Sequence, residues 1–177
     1  MTNNKLIIFN FISFQAIWWL CVLSAKADLS AAVFVAVLVY TLLHLALVEG
    51  WSQTLPLLLT ALLGAVADQY AYQLQWILFE NHTHWPGYLP LWMLALWLGF
   101  ATTLNVSMRW LQHKYGLALI LGAVFGPLAY LGAQSLGAIQ LPNIYSLVWF
   151  GLEWATLLPL MLWLRYRFNQ SFALGHL

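Results

Sequence analysis

The sequence predicts an all-α membrane protein, a single bundle of six transmembrane helices with both termini in the cytoplasm. Hydrophobic residues make up 63% of its 177 residues and charged residues only 6%, against about 25% charged residues in an ordinary soluble domain. A soluble domain with so few charges would expose large apolar patches to water. We therefore expect most of the surface to face lipid.

Six apolar stretches are long enough to cross a bilayer, because a helix needs about 20 mostly apolar residues to span the hydrocarbon core. The predicted spans are Leu6–Leu23, Ser30–Val48, Leu55–Leu78, Leu89–Leu111, Leu117–Gly137 and Tyr145–Leu164. The connections between them are short and polar, which is typical of loops. No linker is long enough to divide residues 1–177 into two domains, so we expect one helical bundle.

The distribution of Lys and Arg predicts the orientation of this bundle. Because six spans return the chain to its starting side, five of the six cations share one side, and Lys26 lies alone on the other. The five are Lys5, Arg109, Lys114, Arg165 and Arg167. Short loops rich in Lys and Arg stay in the cytoplasm, so both termini are expected there.

Two carboxylates lie inside predicted spans. Asp68 falls near the middle of the third span and Glu153 near the middle of the sixth, so they share a similar depth. Charged groups at this depth usually face the interior of a bundle. If the two helix faces meet, one acid could donate a proton while the other accepts one or contacts a ligand. The alternative is a structural role, in which each acid hydrogen-bonds a neighbouring helix.

A second polar set is predicted near the cytoplasmic boundary. Its members are Asn10, His44, Glu49, Asn105, Ser107 and Arg109. On the fourth span, Thr102, Asn105 and Arg109 follow the spacing of one helix face. One interpretation makes Arg109 hold a lipid phosphate or carboxylate and makes His44 a general base. The other is structural, with a salt bridge between Arg109 and Glu49 at the interface.

The fifth span combines small residues with a proline. Gly122 and Gly126 form a small-xxx-small pattern and Pro127 follows directly, which predicts close helix packing and a kink. The kinked helix, with Tyr130 and Gln134 beside it, could line a cavity. Tyr72 falls on the same face of the third span as Asp68.

Several classes of function are excluded or disfavoured. Six Lys and Arg residues and a net charge of +1 are too few for a nucleic-acid surface. The loop Glu80–His84 carries two histidines and one acid, but a metal site needs three or four ligands, so we expect a hydrophilic loop and no metal. No nucleotide, dinucleotide or metalloprotease motif occurs, and no cofactor is predicted.

The fourth and fifth spans also carry a family resemblance. The matching residues are Trp92, Leu96, Trp97, Phe100 to Asn105, Ser107, Trp110, Leu111 and Gly122 to Tyr130, with Asn10, Phe11, Gln15, Trp18 and Asp68 elsewhere. In these residues the chain resembles a family of small bacterial integral inner-membrane proteins catalogued only as a domain of unknown function. The resemblance implies a multi-pass protein of the bacterial inner membrane. Members are encoded near enzymes of fatty-acid modification, such as cyclopropane-synthase-like proteins, which implies a place in lipid metabolism but no residue roles.

Three interpretations of function follow, and whether the chain is an enzyme stays open among them. In the first, it binds or modifies a fatty-acyl or phospholipid substrate, or presents this lipid to a partner lipid-modifying enzyme. Asp68, Glu153 and His44 would then be catalytic. The ligand-binding candidates are Asn10, Tyr72, Thr102, Asn105, Arg109 and Tyr130. In the second it is the substrate-binding membrane subunit of a vitamin-type transporter, with a pocket lined by Asp68, Tyr72, Gln73, Tyr130, Gln134 and Glu153. In the third it is a scaffold for a membrane complex.

Overall fold

The computed structural model describes residues 3–79 and 85–174, and this part of the chain is built from six α-helices. The helices are α1 (Asn3–Ser24), α2 (Ser30–His44), α3 (Thr54–Gln73), α4 (Leu91–Ala101), α5 (Tyr115–Ser135) and α6 (Ile144–Leu174). Two short strands, β1 (Leu78–Phe79) and β2 (Ile139–Gln140), pair antiparallel with Leu78 opposite Gln140. The predicted all-α class is confirmed. The loop that we expected to bind no metal, residues 80–84, lies outside the described residues.

Five helices are long and apolar enough to cross a membrane, and α4 is the shorter sixth. The outward faces of the long helices are apolar, with side chains such as Ile8, Leu20, Leu62 and Ile120 more than half exposed. A soluble monomer rarely exposes contiguous apolar surface of this extent. The outer surface is therefore compatible with a lipid environment.

The predicted fourth span, Leu89–Leu111, is wrong as a continuous helix. Helix α4 has only 11 residues, and the chain then runs through turns to a short 3₁₀ turn at Arg109–Leu111. The hydroxyls of Thr102 and Thr103 each donate to a backbone carbonyl three residues earlier, at 2.7 Å. These bonds compete with the main-chain hydrogen bonds of an α-helix for the same carbonyl oxygens, and the backbone becomes more tightly wound at the helix end.

The irregular segment after α4 is stabilised by a side chain from α1. Asn10 Nδ2 donates to the carbonyl oxygen of Thr102 at 3.3 Å, and Asn10 Oδ1 accepts from the backbone N–H of Ser107 at 3.2 Å. Irregular backbone at membrane depth is tolerated where protein covers it and supplies its hydrogen bonds. Because α4 ends at Ala101, the three residues of the predicted polar stripe, Thr102, Asn105 and Arg109, do not lie on one continuous helix.

Helix α4 is the centre of the bundle. It packs against α1, α2 and α3, while α3 also packs on α6, and α5 lies along α6. Seven of its residues are buried: Trp92, Met93, Ala95, Trp97, Gly99, Phe100 and Ala101. A helix that is apolar on all sides belongs in a core. This arrangement leaves α1 and α5 on the two sides of a cavity.

Two tryptophans near mid-depth form part of the core. The rings of Trp97 and Trp154 stack with centroids 5.1 Å apart and an interplanar angle of 18°. A Cβ atom on Gly64 would lie 2.2 Å from the Trp97 ring, and one on Gly126 would lie 2.3 Å from the Trp154 ring. Glycines on α3 and α5 therefore make room for the stacked pair.

We expect Gly64→Ala to destabilise the protein, because its added methyl would overlap the Trp97 ring and overpacking a core costs about 1–3 kcal/mol. The matched control is Gly116→Ala on α5, where a Cβ would meet nothing within 4 Å and where alanine favours the helix. Thermal unfolding of both variants in detergent measures the difference. Equal melting temperatures would contradict the packing described.

Candidate functional site

A buried carboxylate organises one end of the bundle. Glu49 Oε1 lies 2.8 Å from Nε2 of His44. Its Oε2 accepts from Asn105 Nδ2 at 2.8 Å and also from Nη2 of Arg165. We call Glu49, His44, Gln53, Asn105, Arg165 and Asn169 the Glu49 network.

The backbone directs Glu49 into this network. Helix α2 ends in a π-helical turn at Leu45–Glu49, which rotates the last residues relative to an α-helix. Gly50 follows with φ of 88°, in a region that side chains other than glycine rarely adopt. The chain therefore turns sharply just after the carboxylate and continues into α3.

Amide side chains extend the network across four segments. Asn169 Nδ2 donates to Asn105 Oδ1 at 3.0 Å, and Gln53 Nε2 donates to Asn169 Oδ1 at 3.0 Å. Arg165 Nη1 donates to the carbonyl oxygen of Gln53 at 3.3 Å. The end of α2, the start of α3, the segment after α4 and helix α6 are therefore bonded together.

The structural alternative that paired Glu49 with Arg109 is wrong, because the guanidinium beside Glu49 belongs to Arg165. The sequence placed Arg165 just beyond the last predicted span, but α6 continues to Leu174 and Arg165 is fully buried. Arg165 and Asn169 are four residues apart, so they share a face of α6. That spacing was the available signal for both residues.

A polar pocket of about 510 Å³ adjoins the Glu49 network. Its polar lining residues are Glu49, Gln53, Asn105, Arg109 and Asn169. The structure thus brings Arg109 and Asn105 together, and Arg109 is exposed at this pocket. His44 is 4% exposed and bonded to Glu49. Glu49 therefore lies between the His44 ring and the polar pocket.

A larger cavity of about 770 Å³ lies between α1, α4 and α5, with α6 behind it. Its wall is almost entirely aromatic and aliphatic. Its outermost lining residues are half exposed or more: Phe11, Trp19, Trp110, Phe125 and Leu128. The apolar cavity therefore opens on the outer surface of the bundle. Trp110 lines both this cavity and the polar pocket.

One acidic group forms part of the apolar wall. Asp68 is fully buried; its Oδ1 accepts from the Tyr130 hydroxyl at 2.5 Å and its Oδ2 from Trp97 Nε1 at 2.6 Å. Asp68 and Tyr130 both line the cavity. The Tyr130 ring is fixed by stacking on Phe150, with centroids 3.7 Å apart.

Glu153 lies behind this wall. It is 6% exposed and close enough to Asp68 and Tyr130 to interact electrostatically with both. Within the described part of the chain, neither of its carboxylate oxygens makes a hydrogen bond of normal geometry, and the indole N–H of Trp149, four residues earlier on α6, is likewise unbonded. The faces of α3 and α6 thus meet, as the pairing of the two acids requires. We call Asp68, Glu153, Tyr130 and Trp97 the acid site.

The remaining sequence candidates lie elsewhere. Asn10 and Thr102 are bonded to each other and stabilise the irregular segment after α4. The Tyr72 ring packs edge-on to Phe79 beside β1, with centroids 5.2 Å apart. Among the residues that the structure describes, no three His, Cys, Asp or Glu side chains form a group that could hold a metal ion.

The glutamines that a vitamin-type pocket would use are bonded to loops. Gln73 Nε2 donates to the carbonyl oxygen of Gly87 at 2.8 Å, and Gln134 Oε1 accepts from the backbone N–H of Leu141 at 2.9 Å. Both side chains hold connections between helices.

Comparison with known proteins identifies a family. A family model described as "Protein of unknown function (DUF2878)" matches residues 7–160, which confirms the resemblance found in the sequence. Neither a curated protein nor a solved structure matches the chain.

A double-mutant cycle should show that Glu49 is coupled to Arg165 and not to Arg109. Removing one member of a buried ion pair costs about 3–5 kcal/mol because the other charge stays buried. We expect Glu49→Gln and Arg165→Gln to be strongly non-additive when combined, and Glu49→Gln and Arg109→Gln to add within about 0.5 kcal/mol. Denaturant unfolding in micelles measures both cycles. Strong coupling to Arg109 would contradict the assignment.

Proposed function

This chain belongs to a family of unknown function, and from its own cavities we propose that it binds a fatty-acyl or phospholipid molecule of the bacterial inner membrane. It would serve lipid metabolism by modifying this lipid or by presenting it to a partner enzyme. The observation that carries the proposal is the apolar cavity of about 770 Å³ that opens between α1 and α5.

The size and opening of the cavity suit a lipid chain. Its volume lies within the range of about 300–1,000 Å³ that is usual for small-molecule sites. Its half-exposed rim, which includes Phe11 and Phe125, would face acyl chains in a bilayer. An apolar ligand could then enter sideways without crossing water.

Burial of the chain alone would not hold a lipid in this cavity. Lipid tails are as apolar as the cavity wall, so moving one from bilayer to protein gains little hydrophobic free energy. Selective binding needs close packing or a polar contact at the headgroup. The polar pocket supplies such a contact, because it adjoins the apolar cavity at Trp110.

Arg109 is the group best placed to hold an anionic headgroup. The charge of Glu49 is already matched by Arg165, whereas Arg109 lines the pocket with an exposed side chain and has no ion pair within residues 3–79 and 85–174. A guanidinium binds phosphate or carboxylate through two parallel hydrogen bonds. The proposed ligand is therefore an anionic lipid with its head beside Arg109 and its chain in the apolar cavity.

Any chemistry on the bound chain would involve the acid site. Asp68 and Tyr130 line the cavity, whereas His44 is separated from the polar pocket by Glu49. We therefore propose Asp68 and Glu153 as the groups that transfer a proton, and we place His44 in a supporting role.

Filling the apolar cavity should remove a lipid that co-purifies with the protein. We expect Ala129→Phe, which changes a cavity-lining residue, to lower lipid retention at least about fivefold, because the new ring takes up space that the chain needs. Val124→Phe is the matched control, since Val124 lies on the exposed face of the same helix. Native mass spectrometry of gently purified protein gives both values.

The same experiment separates the alternatives. A lipid retained equally by both variants would mean that it binds outside the cavity. A polar metabolite in place of a lipid would favour transport, and protein with nothing bound would favour a scaffold.

Replacing Arg109 should weaken binding of an anionic lipid. We expect Arg109→Ala to raise the Kd for phosphatidylglycerol about tenfold or more, because hydrogen bonds to a charged group contribute about 1.5–3 kcal/mol. Arg109→Lys should recover part of the loss. Lys114→Ala tests whether any cation near Trp110 would serve, since Lys114 lies over the Trp110 ring. An equal loss of affinity in Lys114→Ala and Arg109→Ala would mean that Arg109 contributes only positive charge near the surface and not a specific contact.

A further inference from the structure

The polar pocket lies at one end of the bundle. Leu6 and Ile7 near the start of α1 line it, together with Asn169 close to the end of α6. Trp110 lies between this pocket and the apolar cavity and lines both. A lipid with its chain in the apolar cavity would therefore place its headgroup in the polar pocket.

The pocket has room for more than a phosphate group. Its volume of about 510 Å³ lies within the range of about 300–1,000 Å³ that is usual for whole small-molecule ligands. Arg109 provides an exposed cation for the phosphate. The rest of the polar wall consists of the amides Gln53, Asn105 and Asn169 with the Glu49 carboxylate. This part of the wall would face the group that the phosphate carries.

Amide side chains at the pocket have hydrogen-bonding capacity to spare. A primary amide has two N–H bonds, and its oxygen accepts up to two hydrogen bonds. Among the described residues, Asn169 Nδ2 donates only to Asn105 Oδ1 at 3.0 Å, and Gln53 Oε1 accepts only from Asn105 Nδ2 at 3.3 Å. Asn169 lines the pocket and is only partly buried, so a ligand there can reach its second N–H bond.

Trp110 gives the pocket an apolar surface beside these amides. The residue is 53% exposed, and its indole ring is an apolar body with one polar N–H group. A polyol has C–H bonds next to its hydroxyls, so its carbon side can lie on such a ring while its hydroxyls face the amides. The pocket therefore combines the three kinds of contact that a phosphorylated polyol needs.

We propose that the polar pocket recognises a polyol phosphate headgroup, such as that of phosphatidylglycerol, with the phosphate on Arg109 and a hydroxyl on the amides. This inference rests on the proposed function, and it names the headgroup class of the lipid. A hydroxyl both accepts and donates hydrogen bonds, so it can accept from Asn169 Nδ2 and donate to Gln53 Oε1. An alkyl headgroup does neither, and an ammonium group only donates.

The test compares lipids that share their acyl chains and differ in the headgroup. Radiolabelled dioleoyl phosphatidylglycerol bound to the purified full chain is displaced by the dioleoyl forms of phosphatidylglycerol, phosphatidylpropanol or phosphatidylethanolamine. Phosphatidylpropanol has the charge and the headgroup carbons of phosphatidylglycerol but lacks its headgroup hydroxyls. We expect phosphatidylglycerol to bind about tenfold more tightly than phosphatidylpropanol, which corresponds to about 1.4 kcal/mol, the contribution of one or two neutral hydrogen bonds.

Variants separate recognition of the hydroxyl from recognition of the phosphate. Asn169→Ala should lower the preference for phosphatidylglycerol over phosphatidylpropanol to below about threefold, because an amide that serves the hydroxyl is lost. Arg109→Ala should weaken binding of both lipids by a similar factor and leave the preference in place. Gln170→Ala is the matched control, since Gln170 is an exposed amide on the same helix that donates to the Tyr166 hydroxyl. If Asn169→Ala fails to fold, the headgroup series on the unmodified protein still decides the question.

The outcomes distinguish this inference from the proposed function. Equal affinity for phosphatidylglycerol and phosphatidylpropanol, or tighter binding of phosphatidylethanolamine, would overturn the polyol site and leave lipid binding in place. Soluble glycerol 1-phosphate that displaces the radiolabel as well as phosphatidylglycerol does would keep the polyol phosphate and overturn the lipid as its source. If phosphatidylglycerol does not bind, the polyol site is overturned, and the proposed function is overturned with it when no lipid co-purifies with the protein.

Discussion

The buried contact between Glu49 and Arg165 determines how one end of the bundle is built. Two charges in an apolar interior are tolerated only when they are paired and their remaining hydrogen-bonding groups are satisfied, and Asn105, His44 and the carbonyl oxygen of Gln53 satisfy most of them here. The π-helical turn at Leu45–Glu49 and the extension of α6 both serve to bring this pair together. Because Arg165 neutralises Glu49, the side chain of Arg109 at the adjoining pocket has no ion pair with any residue that the structure describes.

The end of α4 at Ala101 and the contact between Glu49 and Arg165 follow from the same constraint. Polar groups inside the bundle need partners within the protein. In lipid, every backbone N–H and C=O group needs a partner inside the protein, so a helix can stop at Ala101 only because Thr102, Thr103 and Asn10 supply the bonds. Ending α4 there places Asn105 in the Glu49 network instead of on a helix face. The short central helix also leaves α1 and α5 apart, and the apolar cavity occupies the space between them.

Composition was enough to predict the long helices. The sequence did not show where hydrogen bonds from side chains would end a helix. Apolar runs of about 20 residues identified five long helices. The similar depth of Asp68 and Glu153 allowed them to share one interior if the faces of their helices met, and the faces of α3 and α6 do meet. The end of α4 was missed because an apolar run shows no sign that two threonine hydroxyls will take over its carbonyls. Arg165 was placed beyond the end of the sixth span because hydropathy sets that end. Its charge is instead buried by Glu49, a partner distant in sequence. The stacking of Trp97 on Trp154 depends on glycines of other helices. No pattern in the sequence around either tryptophan indicates this packing.

The two buried acids differ in how their neighbours satisfy them. Both carboxylates are buried, and a buried charge without partners costs several kcal/mol. Glu49 is surrounded by an arginine, a histidine and an amide. Within the described residues neither oxygen of Glu153 makes a hydrogen bond of normal geometry, although Asp68 beside it accepts from Tyr130 and Trp97. Glu153 lies behind the cavity wall and interacts electrostatically with Asp68 and Tyr130, which form part of that wall. A lipid in the cavity would therefore contact the acid site through Asp68 and Tyr130, and Glu153 would act on it through these two groups.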